Sequence, residues 1–328
     1  MYPVKVCAEE SRKSDPGPDP EDCLEPQLPA LRRHALERLS ANLIRNGPQI
    51  FDVVTRWTAS LSPTGVAEDY FRKSRAHFLL LPWWAEKSIR GAPDLKFQSD
   101  LIYSSVNGYY FVRLIDNVMD GHGKSELRML PILGFFHSQF QAVYSDYFQP
   151  DSAFWEFFHS TWTAMAQATV LDANMADISA TEFVGVAAMK SAGAKIPIAA
   201  VFFRYGRPDL LPQWCEFYDA LSCWSRMVDD VFDSFSDAQK GTMTYFLSDA
   251  KRRKRAGESV AAWIAKGGLA SGYREADSLL QHVRELAHGL GSSELIKYLE
   301  YCQADLASCW ERMGPGLAAL ARLASVFE

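Results

Sequence analysis

Two carboxylates lie one helical turn apart at the end of an apolar stretch, "YYFVRLIDNVMDGHG", which covers residues 109–123. Asp116 and Asp120 are separated by four positions, and Arg113 precedes Asp116 by three, so a helix would place the three side chains on one stripe. Asn117 follows Asp116 directly. Carboxylates in this arrangement could bind a divalent cation, and an arginine beside them could bind an anionic group.

A second acidic cluster follows another apolar and aromatic run, in the sequence "RMVDDVFDSFSD". Arg226 again precedes the first carboxylate by three residues, as Arg113 does in the first cluster. Asp229, Asp233 and Asp237 are one turn apart and would share one face of a continuous helix, with Asp230 beside them. Either cluster, taken alone, could instead be a solvated helix end.

Acidic side chains in such apolar surroundings need a counter-charge. Like charges one turn apart destabilise a helix by roughly a few tenths of a kcal/mol, and burying them unpaired costs roughly several kcal/mol each. Magnesium ions prefer oxygen ligands and commonly bridge a few carboxylates to substrate phosphates. If the two helices face each other, we therefore expect both clusters to bind Mg²⁺ together with a phosphorylated substrate.

Four cationic side chains accompany the clusters. Lys190 lies between them in the chain, in "MKSAGAKIP", among small residues that would allow close approach to a ligand, and Lys240 follows the second cluster. We expect these lysines, Arg113 and Arg226 to bind phosphate groups. Trp224, in the aromatic run before the second cluster, is expected to contact the substrate. The alternative for each lysine is an ordinary surface position.

The composition excludes several classes of protein. The chain has 328 residues, 48% of them hydrophobic, and a formal net charge of -6, which argues against nucleic-acid binding. Its six cysteines are scattered without metal-type spacing, so we expect reduced thiols and a cytoplasmic location. The N-terminus lacks the apolar core of a secretory signal, and no segment approaches the roughly 20 apolar residues of a membrane span.

The hydrophobic pattern predicts one all-α domain. Residues 1–30 are expected to form a disordered or loosely attached tail, because residues 8–28 are rich in Pro, Asp and Glu. From residue 31 to residue 328, apolar residues recur mostly at helical spacing, and prolines, Pro82 among them, are expected to separate the helices. The basic run from Asp249 to Ser259 is predicted to be a solvated loop or helix end.

These motifs resemble the class I isoprenoid synthases, the all-α superfamily that contains prenyl diphosphate synthases, squalene and phytoene synthases, and terpene cyclases. The segment "RLIDNVMD" resembles the first aspartate-rich motif, with Asn117 where chain-elongating synthases usually have Asp. "RMVDDVFD" resembles the second motif, and "FVGVAAMKSAG" is similar to the segment whose lysine holds diphosphate, here Lys190. The arrangement "SRAHFLLLPWW…YYFVRLIDNVMDG" is similar to the opening of phytoene synthases.

The resemblance implies a helical bundle around a central apolar cavity, three Mg²⁺ ions at its mouth, and ionisation of an allylic prenyl diphosphate. The metal ligands that it implies are Asp116, Asn117, Asp120, Asp229, Asp230, Asp233 and Asp237. The residues expected to act in catalysis are Asp116, Asp120, Asp229, Asp233, Arg226 and Lys190. Aromatic side chains of the cavity would stabilise the carbocation.

Three reactions occur on this fold, and the sequence favours cyclisation. Chain elongation requires an arginine pair soon after the first motif, which "DGHGKSELRM" lacks. Head-to-head coupling expects a different segment where this chain has Met189 and Lys190. A cyclase that forms a sesquiterpene from farnesyl diphosphate and releases pyrophosphate is therefore our first hypothesis. A prenyl-coupling enzyme and a non-catalytic isoprenoid-binding subunit remain alternatives, and a homodimer is possible.

The choice of a farnesyl substrate depends on residues that precede Asp116. A helix rises about 1.5 Å per residue, so Val112 and Phe111 would lie deeper in the cavity than Asp116, and Tyr109 would lie deeper still. Tyr109 is seven residues before Asp116 on the same stripe, and we expect it to form the floor that limits chain length. The alternative is that these side chains pack against neighbouring helices.

Overall fold

A computed structural model describes residues 25–62, 64–71, 77–119, 121 and 124–326, without the side chains of residues 124–125 and 314–326. Every regular element in these ranges is helical, which confirms the prediction of an all-α protein. The more specific expectation, a terpenoid synthase bundle around a central apolar cavity, stays a prediction. Asp120 and residues 1–24 lie outside the described residues.

The described α-helices carry the labels α1 to α16 in chain order. They are α1 (Leu28–Asn46), α2 (Pro48–Ser60), α3 (Ala67–Tyr70), α4 (His77–Arg90), α5 (Leu95–Met119), α6 (Lys124–Leu127), α7 (Leu133–Ser145), α8 (Ala153–Ala173), α9 (Ala180–Lys190), α10 (Lys195–Arg204), α11 (Leu211–Phe232), α12 (Ser234–Lys240), α13 (Tyr245–Arg253), α14 (Val260–Trp263), α15 (Leu269–His288) and α16 (Ser293–Val326). Short 3-10 helices cover Leu130–Ile132, Ala192–Ala194 and Pro208–Leu210, and a π-helix covers Ile264–Gly268.

The backbone contacts divide the chain into two compact units. Among the described residues, the first unit contains those within 25–161 and 193–211, and the second contains those within 162–192 and 212–326. The expectation of a single domain from residue 31 onward stays a prediction. Near the N-terminal end of the described chain, Glu25 is buried and accepts hydrogen bonds from Trp84 Nε1 at 3.1 Å and Lys87 Nζ at 3.0 Å.

Helix α5 is the central element of the first unit and packs against α1 and α7. Gly108 allows the close approach of α7, because a Cβ at this position would lie 2.8 Å from the ring of Phe140. Ser104, one turn earlier, donates a hydrogen bond to the carbonyl oxygen of Phe140 at 2.7 Å. The first acidic cluster therefore occupies the last turns of a helix that is fixed along its length by packing.

Helix α4 contains Pro82, and the expectation that this proline separates two helices is wrong. A proline inside a helix has no N–H for the carbonyl four residues earlier, which here is that of Phe78. The carbonyl oxygen of Pro82 accepts a hydrogen bond from Gln98 Nε2 of α5 at 3.2 Å. The same amide nitrogen also donates to the buried carboxylate of Glu86 at 2.7 Å, which ties α4 to α5. Gln98 thus joins the two helices beside the proline.

The second unit begins in the C-terminal half of α8 and continues through α9 and from α11 to α16. A capping box at Ser179 and Glu182 starts α9, and Thr244 caps α13 through the backbone N–H of Leu247. In α15, Gly272 packs directly against Phe246 and Val231, where a Cβ would come within 2.7 Å of both side chains. These contacts fix the segment that follows the second acidic cluster.

Two further expectations concern cysteines and membranes. Cys215, Cys223 and Cys302 are free thiols, but Cys309 is disulfide-bonded, so the expectation of six reduced cysteines is wrong for this residue. Within the described ranges, no single helix is both long and apolar enough to cross a membrane. One bent pair, Ala180–Lys190 with Ala192–Arg204, meets that test of length and composition jointly.

The contact at Gly108 yields a stability prediction. Gly108→Ala should lower the free energy of unfolding by about 1 kcal/mol, because overpacking against Phe140 costs about 1–3 kcal/mol and the gain in helix propensity returns about 1 kcal/mol. Urea denaturation followed by circular dichroism measures the change. Gly134→Ala in α7 is the matched control, since a Cβ there meets no atom within 4 Å. Equal stability of the two variants would contradict the proposed close packing.

Candidate functional site

The first acidic cluster forms the C-terminal turns of α5. Arg113 and Asp116 are both buried, and Arg113 Nη1 lies 3.5 Å from Asp116 Oδ2, as the three-residue spacing predicts. This distance is long for a charge-assisted hydrogen bond, so the pair is an ion pair of moderate strength. Asp120, the other predicted carboxylate of this cluster, lies outside the described residues.

Asn117 has a partner that the sequence did not reveal. Its Nδ2 donates a hydrogen bond to Glu126 Oε1 at 2.6 Å, and Trp57 Nε1 donates to the same oxygen at 3.0 Å. The buried Oδ1 of Asn117 accepts no hydrogen bond from the described residues. An aspartate at position 117 would place two carboxylates within hydrogen-bonding distance, which explains physically why an amide occupies this position. Only the fold brings Glu126 close, because its spacing from the motif fits no helical repeat.

The side chains before Asp116 lie among other aromatic rings of the first unit. Tyr109 stacks on Phe78 with ring centroids 5.3 Å apart, and its hydroxyl is hydrogen-bonded to that of Tyr70. Burial and the neighbouring Tyr70 raise the pKa of Tyr109 well above its ordinary value. Phe111 faces the imidazole of His137 with centroids 5.5 Å apart, and Val112 is half-buried. The role of Tyr109 as a cavity floor stays a prediction.

The second acidic cluster is not on one continuous helix, which corrects the expectation from its spacing. Helix α11 ends at Phe232, and α12 begins at Ser234, with Asp233 between them. The one-turn repeat nevertheless persists through the backbone. The N–H of Asp233 donates to the carbonyl oxygen of Asp229, and the N–H of Asp237 donates to that of Asp233, both at 2.9 Å. The three carboxylates therefore follow one another at helical spacing across the break.

Asp230 is buried and fully bonded. Its Oδ1 accepts a hydrogen bond from Arg226 Nε at 2.9 Å, and its Oδ2 accepts one from the backbone N–H of Tyr245 at 3.1 Å. Burial raises the pKa of Asp230, although the charge of Arg226 opposes this effect. Because protein groups occupy both oxygens, Asp230 anchors the start of α13 and is a poorer candidate metal ligand than predicted.

Asp229 is the neighbour of Asp230 and equally buried, but its environment is very different. Only 5% of the residue is exposed, and neither carboxylate oxygen has a hydrogen-bond partner among the described residues. Burial, and then the charge of Asp233, raise the pKa of Asp229 well above its ordinary value. The buried Ser222 Oγ and Trp224 Nε1 likewise lack partners among the described residues. All three residues lie on α11, and ordered water or a bound ligand could satisfy these atoms.

Farther along the cluster, Asp237 is half-buried and its pKa is raised to about 6, by burial and then by the charges of Asp233 and Asp230. The positive charge of Lys240 acts in the opposite direction, although the Lys240 side chain itself is exposed. Carboxylates in this sequence thus compete for protons because too few positive charges lie near them. A cation of higher charge would relieve the competition.

Lys190 and Arg226 are brought together by Asp172 of α8. Lys190 Nζ lies 2.6 Å from Asp172 Oδ2, and Arg226 Nη2 lies 3.8 Å from Asp172 Oδ1. Burial alone would raise the pKa of Asp172, but the charges of Arg226 and Lys190 outweigh it, so the pKa lies below its ordinary value. Asp172 therefore remains ionised and holds the two cations of α9 and α11 near the C-terminal end of α8.

A small pocket lies between these groups. It is lined by Ala187, Lys190, Ser191, Ser222, Ser225, Arg226 and Asp229. Its volume of about 20 Å³ accommodates one water molecule or a small ion, whereas small-molecule pockets usually measure about 300–1,000 Å³. The pocket thus combines an unpartnered carboxylate with two cations, but it is too small to enclose a prenyl chain.

The carboxylates predicted to bind metal come from two well-separated parts of the chain. Among the described residues, no group of three or more His, Cys, Asp or Glu side chains is arranged to hold a metal ion. Asp229 and the side-chain carbonyl of Asn117 have oxygens that a cation could use, whereas both oxygens of Asp230 accept hydrogen bonds from protein groups.

Comparison with known proteins does not assign the chain to a family: no family model matches it, and no curated protein matches it.

The buried charge of Asp229 yields a pH-dependent prediction. Because its pKa is raised in the folded protein, ionisation weakens the fold as pH rises from about 4, the unfolded value, through the folded value. Asp229→Asn should therefore raise the free energy of unfolding at neutral pH by about 1 kcal/mol or more, with a smaller gain near pH 4. Urea denaturation of metal-free protein at both pH values measures this change.

The control is Asp177→Asn in the same unit, because that carboxylate is exposed and paired with Arg252. It should leave unfolding unchanged at both pH values. A loss of stability in Asp229→Asn at neutral pH would mean that the carboxylate has stabilising partners and is not the uncompensated charge described above.

Proposed function

We propose that the protein is a magnesium-dependent class I terpene cyclase that ionises a prenyl diphosphate and cyclises the resulting carbocation. The observation that carries this proposal is the arrangement around Asp229. A buried carboxylate without hydrogen-bond partners shares a small pocket with Lys190 and Arg226, two cations suited to a diphosphate. Together these groups provide oxygens for a hard cation and positive charge for the phosphate oxygens that such a cation would contact.

The residues fit Mg²⁺ by their chemistry. The ion prefers carboxylate oxygen and typically keeps several waters while it contacts substrate phosphates through one or two protein carboxylates. Asp229 offers two free oxygens, Asp233 and Asp237 follow at one-turn intervals, and Asp116 is the described carboxylate of the first cluster. When bound, Mg²⁺ would supply positive charge at the oxygens where negative charge develops as the diphosphate departs.

The protein groups have separate tasks in this proposal. Lys190 and Arg226 bind the diphosphate through charge-assisted hydrogen bonds and hold it in one orientation. Asp172 keeps both cations in position before the substrate arrives, since it lies within ion-pair distance of each. The indole of Trp224, whose N–H is unpartnered among the described residues, provides an aromatic face for the carbocation.

The proposed substrate is farnesyl diphosphate, and the proposed products are a sesquiterpene and pyrophosphate. This choice depends on the residues of α5 that precede Asp116. Tyr109 is held by stacking on Phe78 and by the hydroxyl of Tyr70, so its ring has little freedom to move aside for a longer chain. A rigid ring at this depth suits a floor better than a mobile one would.

The test is incubation of the protein with geranyl, farnesyl or geranylgeranyl diphosphate and Mg²⁺. Pyrophosphate release and volatile hydrocarbons are measured separately, the latter by mass spectrometry. A cyclic fifteen-carbon hydrocarbon with stoichiometric pyrophosphate supports the proposal. A coupled product of two prenyl groups would favour a squalene- or phytoene-synthase-like reaction. Absence of pyrophosphate release with every substrate would reject an ionising enzyme.

The metal assignment gives a second prediction for the same assay. Asp116→Ala and Asp229→Ala should each lower turnover by about a hundredfold or more, because each removes a carboxylate proposed to hold Mg²⁺. Titration with Mn²⁺, followed by electron paramagnetic resonance, should show weaker binding in both variants. Asp177→Ala, which removes an exposed carboxylate, should change neither measurement. Near-normal turnover and Mn²⁺ affinity in both cluster variants would show that the metal assignment is wrong.

The substrate assignment gives a further prediction. Tyr109→Ala should increase the ratio of turnover with geranylgeranyl diphosphate to turnover with farnesyl diphosphate by about tenfold, because losing the ring opens apolar volume before Asp116. Tyr109→Phe is the matched control, since it removes only the hydrogen bond to Tyr70 and should keep the farnesyl preference. If the unmodified protein prefers the twenty-carbon substrate, Tyr109 is not the floor.

A further inference from the structure

A second cavity lies in the C-terminal part of the chain, within the second unit, at residues that the proposed function does not use. Its volume is about 490 Å³, within the range of small-molecule sites. It is lined by Arg253, Arg255, Glu258, Trp263, Lys266, Gly267 and Gly268. Three of these seven residues are cationic, although the whole chain has a formal net charge of -6.

The wall of this cavity is a π-helix, Ile264–Gly268, which interrupts the path from α14 to α15. Gly267 has φ of 156° and ψ of -8°, a backbone conformation that residues other than glycine rarely adopt. At Gly268, a side chain would overlap the ring of Trp263, which in turn lies 5.8 Å from the ring of Phe246. Two glycines thus maintain an irregular turn, and such π-turns occur frequently at functional sites.

The cations around the cavity are not all neutralised. Lys266 Nζ lies 3.6 Å from Glu258 Oε1, and Arg253 Nε lies 3.0 Å from Asp249 Oδ2. Arg255 is different, because its guanidinium makes no hydrogen bond or ion pair with any described residue. Its backbone N–H instead donates to Glu258 Oε2 at 3.0 Å, which fixes the backbone beside the cavity. The Arg255 guanidinium therefore contributes a positive charge that no described ion pair neutralises, and the hydrogen bond to Glu258 fixes its backbone beside the cavity.

We propose that this cavity binds a small soluble ligand that carries a diphosphate or triphosphate group. The guanidinium of Arg255 has a planar set of donors that matches phosphate oxygens, and Lys266 adds a second charge from the π-turn. Arg253 lies on the same wall, at the end of α13. This site is independent of the carboxylates at Asp229 and needs no metal ion.

The experiment is isothermal titration calorimetry with inorganic pyrophosphate, at low ionic strength and in the presence of a chelator that removes divalent cations. Without such cations, the acidic clusters repel the anion, so binding reports on the basic cavity. We expect one site per chain, with an affinity that falls as salt is added. Arg255→Gln and Lys266→Gln should each weaken binding about tenfold, the effect of one charge-assisted hydrogen bond.

Lys251→Gln is the matched control, because it removes the same charge from the same basic run without lining the cavity. It should leave the affinity within about twofold, and circular dichroism should confirm that all variants are folded. Lys190→Gln tests whether pyrophosphate binds instead at the small pocket beside Asp229, which Lys190 lines. If Lys190→Gln abolishes binding and Arg255→Gln does not, the proposal is wrong, whatever the outcome for the cyclase.

A lipid headgroup is the other source of phosphate, and a parallel measurement separates the two. Sedimentation with phosphatidylglycerol vesicles should show no more binding than sedimentation with phosphatidylcholine vesicles. Binding to the anionic vesicles, without binding of pyrophosphate, would overturn the proposal of a soluble ligand. A calorimetric titration that shows no binding of pyrophosphate at any salt concentration would overturn the proposal as well.

Discussion

The uncompensated negative charge at the end of α11 is the constraint on which the second unit depends. Asp229, Asp230, Asp233 and Asp237 follow one another within nine residues, and burial raises the pKa of three of them. Two neighbouring carboxylates of this cluster, Asp229 and Asp230, have very different partners in the structure. Arg226 and the first N–H of α13 neutralise and bind Asp230, whereas Asp229 is left with electrostatic interactions and no hydrogen bond among the described residues.

Asp172 extends the same electrostatic arrangement to a third helix. It lies within ion-pair distance of Lys190 from α9 and Arg226 from α11, and Arg226 also binds Asp230. Three helices of the second unit are thus joined by alternating charges. An anion that approached Lys190 and Arg226 would compete with Asp172 for them, while a cation near Asp229 would offset the loss of Arg226. Anion and cation binding are therefore expected to favour each other at this site.

The sequence predicted the helical class because apolar spacing is a local property of each segment. It also placed Arg113 and Asp116 on one stripe of a helix, where the structure pairs them, because that placement depends only on positions within one helix. It could not reveal Glu126, since the contact with Asn117 arises from the path of the chain after α5. Likewise, spacing alone predicted a continuous helix through Asp233. In the structure α11 ends just before Asp233, although the backbone hydrogen bonds keep their one-turn repeat.

Asp229 and Asp230 show most clearly where sequence reasoning reaches its limit. They are adjacent, chemically identical and both buried, so no pattern of residue types can assign them different roles. The fold separates them, because the start of α13 gives Asp230 a backbone donor, whereas Asp229 lines the small pocket that Lys190 and Ser222 also line. A carboxylate that only stabilised the fold would be expected to resemble Asp230, with both oxygens bonded. Asp229 instead has neither oxygen bonded by a described residue, and a buried charge in such a position is the physical reason to look for a ligand at this residue and not at its neighbour.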